Sequence, residues 1–145
     1  MKTQNFGNHT RYDPFNHFFL TPLILLFLGW TVSKFDFSTQ KATLDSLFLF
    51  IGAFILFLLP LLVRSYALKL QNRIIINEMR NRYFHLTGKT FDEKEQHLKL
   101  GQIIALRFAG NDELHGLMDR AIAEKLTSNE IKQQIKNWRG DYLRV

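Results

Sequence analysis

Apolar residues fall into two long blocks near the start of the chain and into periodic stripes behind them. The first block runs from Phe15 through Leu20, Pro22 and Leu23 to Trp30 and Val32. Its 18 residues span about 27 Å as a helix, enough to cross a bilayer if Asn16 and His17 lie at the interface. Pro22 falls in the first turns of this helix or kinks it. A cleavable signal peptide fits less well, because the stretch before the block is long and mixes Lys2 and Arg11 with Asp13. The second block, Leu44 to Val63, is interrupted by charge or hydroxyl only at Asp45 and Ser46 near its start, and reads as a transmembrane helix bent near Pro60. Gly52 and Ala53 offer a spot where another helix can approach closely, or face lipid.

Beyond Val63 no turn signal interrupts the pattern before Gly88, so the second helix is expected to continue as a stalk. Leu68, Asn72, Ile75, Met79, Arg82 and Leu86 follow a 4-3-4-3-4 spacing, a short heptad seam for a partner helix. The competing reading packs Ile74, Ile75, Met79 and Tyr83 against the chain's own C-terminal helices. Gly88 suits a helix C-terminus. Three helices are expected after it. Leu100, Ile103, Ile104 and Phe108 mark the first, and Leu114, Leu117, Met118, Ala121, Ile122 and Leu126 the second, with Asn111 as its cap. Ile131, Ile135 and Trp138 mark the third, opened by a Thr127-Ser128-Asn129-Glu130 capping box. The fold class is therefore all-α: a transmembrane hairpin over 1–66 with spans at about 15–32 and 44–63, a stalk over 67–88 and a helical domain over 89–145.

Charge divides at the same place. Residues 1–63 hold 4 Lys/Arg and 3 Asp/Glu, while residues 64–145 hold 15 and 10. The loop between the spans carries only Lys34 and Lys41, whereas Lys2 and Arg11 flank one outer end and Arg64, Lys69 and Arg73 the other. Positive-inside counting puts both termini in the cytoplasm. Arg64, Lys69 and Arg73 are placed to meet anionic lipid head groups, each worth about 1 kcal/mol near the surface.

The 145 residues include no cysteine, which excludes disulfides, thiolate metal sites and cysteine nucleophiles. Gly88-Lys89-Thr90 ends like a phosphate-binding loop but lacks the earlier glycine and a preceding strand. His9, His17, His85, His97 and His115 fall in separate elements without metal-ligand spacing, so neither metal nor cofactor is expected. No acid–base or nucleophile constellation nominates a catalytic residue. A helix-turn-helix reading would expose Lys132, Gln133, Lys136, Asn137 and Arg139 to DNA, but acidic residues crowd the helix before it.

Three blocks carry a family resemblance: Gln4 to Tyr12 with Pro14 and His17, Gln102 to Ala109, and Ile135 to Arg139 with Asp141, Arg144 and Val145. Together they resemble a family of small two-span bacterial membrane proteins of unknown function. The resemblance implies a bacterial cytoplasmic membrane protein and transfers no activity. Asn5, Asn8, His9, Arg11 and Tyr12 form a polar patch toward which Arg139 and Arg144 can fold back, binding head groups, a partner or the chain's own other end. The expected function is that of a non-enzymatic accessory or scaffold subunit. Its partner is another protein or a second copy, met through this patch and through the stalk at Ile75 and Met79, with membrane lipid at Arg64, Lys69 and Arg73. A membrane-tethered DNA-binding protein is the alternative.

Overall fold

A computed structural model describes residues 4–9 and 12–141, and these are helical apart from turns and one isolated bridge. The helices are α1 (Thr21–Ser33), α2 (Gln40–Thr87), α3 (Asp92–Glu95), α4 (Leu100–Leu106), α5 (Leu114–Ala123) and α6 (Ser128–Gln134). The chain divides into two compact units, one of residues 12–68 and one that joins residues 4–9 to 69–141. Each is described separately.

In the unit of residues 12–68, a widened π-helical stretch, Phe15–Leu20, leads directly into α1. The Thr21 N–H and its hydroxyl both donate to the Asn16 carbonyl, five residues back, which opens the ring just ahead of Pro22. Pro22 thus follows directly on the widened turn of a continuous helix, and that turn accommodates its missing N–H. α2 stays helical through Pro60, which leaves the Leu56 carbonyl without its usual donor. At the turn between the helices, the Asp36 N–H donates to Ser46 Oγ (3.1 Å) and the Phe35 and Phe50 rings meet edge to face. Phe15–Ser33 and the apolar part of α2 are long and apolar enough to cross a membrane. Their surfaces carry uncovered Leu26 (72% exposed) and Phe48 (82%), as suits contact with lipid.

The second unit is a small helical core built on the end of α2. Met79, Tyr83, Phe91, Leu98, Ile103, Leu106, Phe108, Leu114, Leu117, Met118 and Ile131 are buried together. α2 ends because Gly88 takes φ +68° and its N–H bonds the Phe84 carbonyl, which satisfies one orphan acceptor. α3 is an element that the apolar pattern misses: it has no stripe, only Phe91 at its start anchored on Tyr83 (5.4 Å between rings). Lys94 on α3 reaches Asp119 on α5 at 2.6 Å.

The expected helices change at their ends: α4 stops at Leu106, short of Phe108, and α5 at Ala123, short of Leu126. Asn111 does not cap α5. Its side chain accepts a bond from Arg82, and residues 111–113 form a turn before Leu114. α6 stops at Gln134 because Ile135 is extended (ψ 121°), which carries Trp138 into an antiparallel bridge with Ala109. Trp138 thus packs on Phe108 from an extended strand-like segment, not from a helix face. The capping box of α6 forms as written, with Thr127 Oγ1 accepting from the Glu130 N–H and Glu130 accepting from the Thr127 N–H at 2.7 Å.

Candidate functional site

The sequence residues at the two ends of the second unit meet on its core. Asn5 and Asn8 close a tight turn in which the Asn5 N–H donates to Asn8 Oδ1 (2.6 Å) and Gly7 N–H to Asn5 Oδ1 (2.9 Å). That turn presents His9, whose ring lies 6.0 Å from both Phe108 and Trp138. Its Nδ1–H donates to the Phe6 carbonyl, leaving Nε2 to accept from Lys132 Nζ at 3.1 Å. Gln4 Oε1 accepts from the Asp141 N–H at 2.7 Å. Asn5, Asn8 and His9 are therefore used in closing the unit on itself, one of the possibilities that the polar patch left open. Arg11 and Arg144 lie outside the described residues. Tyr12 belongs to the other unit and stacks edge-on against His17.

Beside this closure a cleft of about 610 Å³ opens along α2, lined by Glu78, Arg82, His85, Arg107, Arg139 and Asp141 among others. Arg82 forms its floor. From α2 its Nε donates to Asn111 Oδ1 (2.8 Å), one terminal nitrogen to the Arg107 carbonyl (3.1 Å) and the other to the Ala109 carbonyl (2.5 Å). One guanidinium thus ties α2 to the turn between α4 and α5, a task its planar fork suits and a lysine does not. All three partners are neutral. Burial, with the charge of Arg139 nearby as the second cause, pulls the Arg82 pKa down to about 10, so it remains a cation at neutral pH. Arg107 pairs with Asp141 at 2.8 Å and lies over the Phe108 ring. Arg139 is held by its backbone, whose N–H donates to the Phe108 carbonyl at 2.7 Å. With three arginines against Glu78 and Asp141, the cleft favours oxyanions over cations.

The stalk residues divide by face. Ile75 (2% exposed) and Met79 (0%) are buried, so they have no surface left for a partner. This corrects the seam expected through them: the chain's own helices supply the covering apolar surface, at least at Met79 and Tyr83, which lie within the core. Arg64, Lys69 and Arg73 are exposed, as lipid contact requires. The face of α2 opposite Met79 is also open, with Leu70 62% exposed, Ile74 58% and Phe84 54%. Sequence reasoning grouped Ile74 with the buried residues and read Arg82 as a polar position in a seam, missing its role as a latch. The signal for Arg82 was a mid-helix arginine between Met79 and Tyr83 on the buried stripe.

The surface offered to DNA in the helix-turn-helix reading is also rearranged. Lys136 and Asn137 lie beyond α6, and their N–H groups donate to the Glu113 carboxylate at 3.1 and 2.9 Å. Among the described residues no group of three or more His, Asp or Glu side chains is placed to hold a metal ion. In comparison with known proteins, the model of a family of unknown function, DUF6526, matches residues 1–145. No curated protein and no solved structure matches the chain significantly.

Proposed function

We propose that this chain, which belongs to the DUF6526 family of unknown function, is a non-enzymatic scaffold or accessory subunit that holds a small helical unit at a membrane. The membrane is the bacterial cytoplasmic membrane, with both termini on the cytoplasmic side, a topology that rests on the asymmetry of Lys and Arg around the two spans. One observation carries the reading. The helical unit closes its own core by joining residues 4–9 to 138–141, yet leaves an apolar row on α2 uncovered at Leu70, Ile74 and Phe84. A row of this kind is a surface for another helix.

The test is purification of the full chain from native membranes in a mild detergent, with mass and composition of the particle measured together. A stoichiometric second protein or a defined homo-oligomer is expected. A monomer with no companion refutes the reading.

A further inference from the structure

We propose that α2 pairs in parallel with α2 of a second copy of this chain, along Leu70, Ile74, Asn77, Asn81 and Phe84. The inference rests on the scaffold reading and gives it a partner. These five positions follow a 4-3-4-3 spacing, so they form one stripe on the helix, and all are exposed. Met79, Tyr83 and the Arg82 latch occupy the opposite face, about half a turn away, and they hold the helical unit there. The stripe is therefore clear of the chain's own core, and in sequence the same spacing continues upstream to Ala67 and Val63.

The residues on the stripe specify what covers it. With Ile74 and Asn81 at a positions, Leu70, Asn77 and Phe84 are the d positions, and Arg73 and Glu78 become g and e. In a parallel pair a g residue faces the e residue five places on in the partner. Arg73 of each copy then meets Glu78 of the other, twice by symmetry. Both residues are exposed, and among the described residues neither makes an ion pair within its own chain. An antiparallel pair sets g against g and turns Arg73 and Arg80 toward the partner's arginines. Asparagine at an a position favours two strands and fixes register, because its amide is satisfied only by its counterpart in the partner helix. Two copies inserted the same way in one membrane also present this helix in the same direction. Charge, amide pairing and insertion all lead to a parallel homodimer.

The absence of cysteine makes the test direct, since single-cysteine variants of the full chain report one position each. Ile74→Cys and Asn81→Cys are oxidised in native membranes, with Gln133→Cys on the exposed surface of α6 as control. Disulfide-linked dimers are expected at Ile74 and Asn81 and not at Gln133. Arg73→Glu is expected to lower the cross-linked fraction roughly fivefold, and adding Glu78→Arg to restore it. With Trp30→Phe in every variant, Trp138 fluorescence confirms that each remains folded. Equal linking at Gln133, or none at Ile74 and Asn81 in folded protein, overturns the proposal. Linking only in mixed Ile74→Cys and Asn77→Cys samples, an a position against a d position, shows an antiparallel pair and overturns it as well. If linking fails while a different protein copurifies stoichiometrically, the scaffold reading stands and the parallel dimer falls.

Discussion

Replacing Arg82 by alanine removes three hydrogen bonds that hold α2 to the turn behind α4. The exposed Asn111 side chain turns to water, so its loss contributes little. The Arg107 and Ala109 carbonyls are different: Ala109 is fully buried (0% exposed), and each unpaired carbonyl costs about 1–3 kcal/mol. Against this, a half-buried cation with only neutral partners leaves the fold, which returns about 1 kcal/mol of desolvation. The net loss is about 1–5 kcal/mol. Trp138 reports it, because its ring lies 5.3 Å from Phe108 in the same unit. With Trp30→Phe, Trp138 is the single tryptophan of the two, and urea unfolding of the full chain in detergent is read from its emission. For a unit this small, with m of roughly 1 kcal/mol per molar urea, the midpoint falls by about 1 M or more. Arg82→Lys recovers only part of the loss, since one ammonium cannot span the three acceptors. A shift under about 0.5 kcal/mol for Arg82→Ala refutes the latch.

Other consequences are open to the same assay. Met79→Asp places a carboxylate at a position with 0% exposure and unfolds the helical unit, costing more than about 4 kcal/mol, so Trp138 emission is lost before any change in assembly size can be read. Gly110→Ala brings a Cβ to 3.1 Å from the Asn137 carbonyl oxygen and destabilises by about 1–2 kcal/mol; a neutral substitution shows that the 137–139 segment gives way freely. Thr127→Ala costs about 1 kcal/mol through loss of the α6 cap, seen as faster amide exchange at Glu130 and Ile131. The Glu130 carboxyl is held below its ordinary value of 4.5, chiefly by the Thr127 N–H. Its contribution is complete above pH 4.5 and disappears as pH falls through the lower folded value, so α6 amide protection drops with acid in the native protein and not in Glu130→Gln.

Much of this architecture is legible without coordinates wherever a local rule is strong. Mostly apolar blocks of eighteen residues from Phe15 and twenty from Leu44 have few alternatives to a long apolar helix, and Thr127 with Glu130 writes its own cap. Gly88 marks the end of α2 because few other residues take φ +68° so readily. Local rules fail where a partner distant in sequence competes for the same group. Asn111 is a good cap by type, yet Arg82, 29 residues earlier, takes its oxygen. Ile135 and Trp138 carry a helical spacing, but the bridge from Trp138 to Ala109 draws that segment into an extended path. The closure by Gln4 on Asp141 crosses 137 positions, a separation at which spacing holds no information.

The stalk shows most clearly how the two levels divide. Its sequence determines a helix with two heptad-spaced rows, one through Ile75 and Met79 and one through Ile74 and Asn81, and periodicity cannot rank them. Only the tertiary structure decides between them. The helices after Gly88 bury Met79 and Tyr83, and the Arg82 guanidinium ties that face to their backbone, because those helices offer both the apolar area and the carbonyls it needs. The other row, with Arg73 and Glu78 at its edges, is left to face whatever comes from outside the chain.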